Sequence, residues 1–252
     1  MKKYELLADD TIEFYGRTLH RIKACKDFGN VEAGDLGGYI ESENNLSQVG
    51  DCWVCDDARV CDDACVYGNA WVYGNACVCG NARVCDRARV CNDALVCGNA
   101  RVYGNARICS NARVYGNACV YGNACVCGNA WVYGNACVCG NARVYGNAWV
   151  YGSACVCGNA WVCGNAWVCG NAEIKRIQDV LVVGKIGSRN DFTTFFRNKD
   201  GGISVKCGCF CGTIDEFTEK VSEAHGDNKY GRVYRKCTEL AKIQILEDVQ
   251  DE

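Results

Sequence analysis

The stretch "ACVYGNACVCGNAWVYGN", Ala118 to Asn135, is one six-residue phrase written three times. Alanine and valine hold their places in it, while the residue between them is Cys, Cys and then Trp. Working outward, alanine recurs at every sixth position from Ala58 through Ala172, twenty times without exception. A second column runs from Val54 to Val168 and is valine throughout, except at Ile108. Each hexad therefore reads Ala, x, Val, Tyr or Cys, Gly, Asn. Two small apolar residues separated by two positions are strand alternation, with Ala and Val inward and the x and Tyr/Cys slots outward. Gly–Asn turns the corner, since these types accept φ > 0 most easily. The deviant corners Asp56-Asp57, Asp62-Asp63, Asp86-Arg87 and Asn92-Asp93 mostly keep types that tolerate it.

A four-residue strand with a two-residue corner cannot bury its inner face alone, but stacked copies can. The total absence of proline fits, because every strand pairs above and below and would lose a ladder bond at each proline. Val and Ala fill a narrow interior where one extra methylene is felt. The x slot faces outward, where packing makes no such demand. Twenty x slots hold six Trp, seven Arg, six Cys and one Leu, and the other outward column holds twelve Cys and eight Tyr. Drift among neighbouring codons on a tolerant surface accounts for that mixture.

An aliphatic residue every sixth position, a Gly/Asn/Asp corner and a small residue four places on resemble the hexapeptide-repeat left-handed parallel β-helix. The resemblance implies three hexads to a triangular coil of about 18 residues, and it alone implies the left hand. From Cys52 to Asn171 this gives roughly 6.7 coils, a prism about 32 Å tall at ~4.8 Å per layer. Ile40 and Leu46 continue the small-residue column upstream, and Ile174, Val180 and Ile186 continue the valine column downstream. The expected fold is thus an all-β solenoid with a small C-terminal α+β module. The expected divisions are an N-terminal cap over 1–39, the solenoid over 40–186 and the module over 187–252.

"TIEFYGRTLHRI", from Thr11, predicts a hairpin about Tyr15-Gly16, and "EAGDLGGYI", from Glu32, a glycine-rich ramp into the first coil. Together they cap an open end that would otherwise expose unpaired strand edges. "FTTFF" and "ISVKCGCF" predict a second hairpin, with Ile203, Val205, Cys207 and Cys209 on one face. A helix follows, opened by a Thr213–Glu216 capping box, striped by Ile214, Phe217, Val221 and Ala224, and ended by Gly226. A second helix is predicted over about Tyr230 to Ile243, making a ββαα module. The flanks, "GRTLHRIKACKDFGNVEAGDLGGYIESENNLS" and "CGCFCGTIDEF…AHGDNKYG", are similar to uncharacterised repeat proteins of bacteria and their phages, a resemblance that implies no activity.

Net charge is −3, so no overall bias points to nucleic acid or to an anionic membrane. No apolar run reaches spanning length, and "MKKYELLADD" lacks the apolar centre of a signal peptide, so a cytoplasmic location is expected. Of the 24 cysteines, 19 lie between Cys52 and Cys169 at positions set by the repeat, which is not the irregular spacing of a disulfide framework. Reduced thiols are expected.

Hexapeptide acyltransferases, which the repeat resembles, use a coil-side histidine as general base. The only histidines here are His20 and His225, both outside the repeats, and no lysine lies between Lys26 and Lys175. The γ-class carbonic anhydrases share the prism but need three histidine ligands, which this chain lacks. Cys137, Cys139, Cys155 and Cys157 fall on one face as a rectangle of thiols, a weak candidate for metal because four parallel side chains converge poorly on a tetrahedral ion. Cys209 or Cys211 with His225 could make a nucleophile and base, though a helix C-terminus already accounts for a histidine. Arg83 stacks with Arg101 and Arg89 with Arg107, with Arg113 on the third face and Tyr103 and Tyr115 interleaved. These cations wrap around the prism, which argues for a solvated surface and against nucleic acid. Trp131, Trp149 and Trp167 fall in one column, with Tyr133, Tyr151 and Cys169 in the column beside it. They form the interface candidate: Trp131, Tyr133, Trp149, Tyr151 and Trp167. The expectation is a non-enzymatic structural or interaction scaffold with no cofactor, meeting a protein partner or its own copy through that face. A hexapeptide-type acyltransferase and a thiol-rich metal binder are the alternatives.

Overall fold

The computed structural model describes residues 2–247. Each hexad contributes a two-residue parallel rung, and rungs three hexads apart pair in register, as Trp131 does with Trp149 and Cys137 with Cys155. The rungs sort into three sheets, two of seven strands and one of ten, which makes the solenoid three-sided. Backbone amides donate to carbonyls of the next coil throughout, for example Cys125 N–H to Ala142 O at 2.9 Å and Cys127 N–H to Val144 O at 2.9 Å. The alanine and valine columns line the interior and are fully shielded from water at almost every position.

The corners turn through the left-handed region at the first corner residue, which is Gly122 at φ 73° in one coil and Asp86 at φ 59° in another. A Cβ at Gly122 would stand 3.0 Å from the backbone nitrogen of Gly140, so glycine there serves both the dihedral and the close stacking of corners. Where aspartate takes the place, its carboxylate accepts the amide of the corner above: Gly74 N–H to Asp56, Gly80 N–H to Asp62 and Gly104 N–H to Asp86, at 2.8–2.9 Å. The second corner residue adds a feature that reading it only as a turn former misses. Asparagine amides donate to the asparagine one coil on, Asn105 to Asn123 to Asn141 to Asn159, and like ladders climb the other two edges.

The N-terminal end is closed by the predicted hairpin, but Ile40 and Leu46, expected in the small-residue column, pair with Val60 and Val66 and extend the valine column instead. β1 (Tyr4–Phe14) and β2 (Arg17–Ala24) form a hairpin about Tyr15-Gly16, and β3 (Leu36–Ile40) pairs antiparallel with β2 and parallel with the rung Arg59–Val60. Lys3 is buried, with its ammonium donating to Cys52 O at 2.9 Å. Tyr4 and Phe28 close edge-on over Trp53, which is thereby buried despite its outward slot.

The C-terminal end departs from expectation. The last parallel rung is Glu173–Ile174. Val180 and Ile186 keep the hexad phase but belong to a strand, Val180–Ile186, that pairs antiparallel with Asp191–Arg197. Strands Ile203–Cys207 and Phe210–Thr213 complete a four-stranded antiparallel sheet, so the module is ββββαα and its first strand lies inside the range expected for the solenoid. The buried carboxylate of Asp179 makes the break. It accepts the amides of Lys175 and Arg176 at 2.9 and 2.8 Å and the Arg197 guanidinium at 3.2 Å, turning the chain out of the coil. Alternation in the second strand then divides labour. Phe195 enters the module core with Val205, Phe217 and Ile245, while Phe196 packs onto the solenoid interior and plugs it.

α1 (Ile214–His225) carries the Thr213–Glu216 box, ends at Gly226 and buries Ile214, Phe217 and Val221; Ala224, expected in the stripe, is exposed. α2 (Lys229–Leu246) starts from Asn228, whose side chain accepts the amides of Tyr230 and Gly231. Cys209, expected beside Cys207 on the hairpin's buried face, lies in the turn and is exposed, because the strand stops at Cys207. No helix among the described residues is long and apolar enough to cross a membrane.

Candidate functional site

The ten-stranded sheet brings the five interface candidates together. Trp131, Trp149 and Trp167 occupy consecutive x slots and stack face to face, with centroids 4.8 and 5.1 Å apart. Tyr115, Tyr133 and Tyr151 stack beside them at 5.0 Å spacing, and each of the first two tyrosines meets the tryptophan of the next coil edge-on. The spacing is that of the backbone ladder, so the strand register itself places the rings in contact. Cations bracket the tryptophan column: the Arg113 guanidinium lies 5.0 Å from Trp131, and the Lys206 ammonium 5.5 Å from Trp167. The module also touches the column's end, where Trp167 N–H donates to Thr194 Oγ1 at 3.0 Å. Stacking hides the ring faces and leaves the outer edges wet; Trp167 is 38% exposed and Trp131 and Trp149 are half-buried. Burial pushes the Tyr151 phenol above its ordinary value.

All 24 cysteines are free thiols. Cys52 is buried, as its inward slot requires, but Cys61 and Cys169 are buried from outward slots. The N-terminal cap lies over Cys61 through Leu19 of β2 and Tyr39 of β3. The module covers Cys169, whose Sγ stands 2.8 Å from that of Cys211. Of the thiol rectangle, Cys137, Cys139 and Cys155 bring their sulfurs within 4.8 Å of one another, and Cys157 stays outside that group. A second triad of the same closeness, Cys109, Cys125 and Cys127, lies on the neighbouring face and escaped the sequence reading. Its signal was cysteine at both outward slots of one hexad, Cys125 and Cys127, with a single cysteine, Cys109, at the second outward slot of the coil below. A hydrogen bond from Cys109 holds the Cys125 thiol down to about 6, and one from Cys137 does the same for Cys155.

The arginines stack as their phase requires, Arg83 on Arg101 and Arg89 on Arg107, on two different sheets. Neither histidine approaches the coils' thiols or arginines as a base. His20 Nδ1 lies 3.1 Å from Leu7 O on the hairpin. The His225 ring packs on Tyr234 and Tyr230 at 5.8 Å, beside a cavity of about 230 Å³ whose wall includes Cys207, Cys209 and Lys220. Cys211 is drawn to Cys169 instead, so the Cys211–His225 pairing does not form.

Five stretches of the solenoid, residues 58–74, 94–110, 106–122, 112–128 and 136–152, match the YdcK beta-solenoid repeat. These coils are similar to that repeat. A 63-residue segment is 36% identical to a protein of Escherichia coli (strain K12) described as uncharacterized acetyltransferase YdcK, over 22% of this chain and 19% of that protein. The match thus spans about a fifth of that relative's length. The matched stretches carry much of the alanine and valine columns and of the asparagine ladders, and of the aromatic face they include Tyr115, Trp149 and Tyr151 but not Trp131, Tyr133 or Trp167; they also stop short of the module.

Proposed function

We propose that this protein is a non-enzymatic interaction scaffold whose aromatic face binds protein, in the first instance a second copy of the same chain. The observation that carries the reading is the Trp131–Trp149–Trp167 column with its companion tyrosines. It is a regular stacked apolar surface, on the order of 300–400 Å², within the range of the largest patches that soluble monomers leave exposed. Aromatic residues are the usual anchors of protein contacts, and a rigid ladder loses little side-chain freedom on docking. The solenoid supplies rigidity and the two caps close its ends. The free thiols suit a reducing compartment such as the cytoplasm.

The name of the Escherichia coli relative favours acetyl transfer as a second reading. Against it stands the chemistry of the coils, which carry neither histidine nor lysine between Lys26 and Lys175 to take a proton from an acceptor. Titration with acetyl-CoA by calorimetry separates the two readings, since saturable micromolar binding would favour the enzyme.

The scaffold is tested by hydrodynamic mass, wild type against Trp149→Arg. The x slot already holds arginine in seven hexads, so the variant keeps the fold. An oligomer that dissociates in the variant supports the aromatic contact. A wild type that is monomeric at tens of micromolar removes self-association, and an unchanged oligomer in the variant places the contact elsewhere.

A further inference from the structure

We propose that the two cysteine triads, Cys109/Cys125/Cys127 and Cys137/Cys139/Cys155, are binding sites for a soft monovalent metal ion, copper(I), one ion to each. Nothing in the scaffold reading requires them, and they stand on separate geometry.

In each triad one hexad supplies both of its outward slots, Cys125 with Cys127 and Cys137 with Cys139, and an adjacent coil supplies the third sulfur. All three sulfurs lie within 4.8 Å of one another in both triads. A metal–thiolate bond of about 2.3 Å places the sulfurs of a trigonal site about 4 Å apart. Each triad therefore needs only a small inward turn of side chains about their Cα–Cβ bonds, while the ladder holds the backbone fixed. Parallel projection from a flat sheet was the objection to metal, and it applies to the full rectangle with Cys157. It does not apply to three.

The ligand set selects the ion. Neither triad holds a fourth Cys, His, Asp or Glu ligand atom, so a closed tetrahedral zinc site is not built. Thiolates are soft ligands that favour copper(I), an ion satisfied by three of them. On binding, each thiol releases its proton as the S–H bond is replaced by S–Cu, three protons for each ion. The resulting complex carries two negative charges. At the first site Arg107 and Arg143 pair in register on either side of Cys125, where their positive charge offsets it. At the second site the outer neighbour of Cys155 is Glu173, whose carboxylate is paired with Lys175 at 2.9 Å, so no arginine lies in register beside the thiols and that site is the weaker of the two.

The experiment titrates the full chain, reduced and under anaerobic conditions, with copper(I) against a chromophoric copper(I) chelator. Two equivalents should be held, with a thiolate-to-copper band in the near ultraviolet. Cys125→Ser and Cys137→Ser should each lose one equivalent, and the double variant both. Cys85→Ser, outside the triads, should keep two. Cys109→Ser serves as a second probe of the first triad should Cys125→Ser lose the wild-type circular dichroism. The proposal is overturned if the chelator strips the wild type or if the triad variants still hold two equivalents. Uptake that scales with total thiols, or retention of zinc in preference to copper, overturns it equally.

Discussion

Replacing Ala124 by leucine tests the division of each hexad into inside and outside. Ala124 has no exposed surface, and the alanines one coil below and above it, Ala106 and Ala142, have none either. Leucine adds three carbons to that column. Burial of three carbons in a site with room would stabilise the fold by roughly 2 kcal/mol at ~0.8 kcal/mol each. Room is absent, because coils are stacked at the ladder spacing and the facing slots hold valine. Displacement must then exceed the transfer gain, and overpacked cores lose about 1–3 kcal/mol net. With a urea m-value of about 3 kcal/mol/M, the midpoint should fall by roughly 0.3–1 M. The companion change, Cys125→Ser, lies one residue away in an outward, half-buried slot. It should cost under about 0.5 kcal/mol in metal-free protein, a shift below ~0.2 M. Urea unfolding followed by far-ultraviolet circular dichroism gives both midpoints. Equal shifts at Ala124 and Cys125 would refute the assignment.

Two further outcomes are expected. A thiol reagent applied to the native protein, with sites read by mass spectrometry, should spare Cys52, Cys61 and Cys169 and label Cys209. Rapid labelling of Cys61 would mean that the N-terminal cap does not cover it. Glu216 accepts the Thr213 amide at 2.8 Å, which holds its carboxyl below the usual 4.5. Its stabilisation of α1 is therefore complete above pH 4.5 and is lost as pH falls through the lowered value in the folded state. The stability difference between wild type and Glu216→Gln should shrink between pH 6 and pH 3, and a difference that stays constant would exclude the capping carboxylate as its source.

The alanine and valine columns were legible because every coil imposes the same demand on them, and twenty repetitions leave no ambiguity about which side is inside. The hairpin about Tyr15-Gly16 and the Thr213–Glu216 box were legible because their causes are local. What was missed depends on partners distant in sequence. Val180 and Ile186 fit the hexad phase, and only their antiparallel partners Phe196 and Asp191 take them out of the coil. Cys61 and Cys169 occupy ordinary outward slots, and their burial comes from elements more than 20 residues away. The aromatic column was predicted residue for residue, since register fixes it, and the same register sets Arg113 beside Trp131; the bracket at Lys206 was not legible, since Lys206 arrives from the C-terminal module. Convergence of the cysteine triads lies in side-chain rotation, to which a count of positions is blind.

The in-register pairing of all three sheets has a consequence for how such a molecule changes over time. Every hexad carries the same inward pair, so inserting or deleting six residues leaves the interior filled. Such an event would carry everything downstream one side around the prism, whereas a change of eighteen residues would raise it by one layer, about 4.8 Å, without rotation. The solenoid is therefore a helical coordinate system in which the number of hexads sets both angle and height, and whole multiples of three change height alone. The C-terminal module, the tryptophan column and the sulfur triads occupy addresses in it. Duplication or loss of repeats can move any of them relative to the others with no new packing problem to solve.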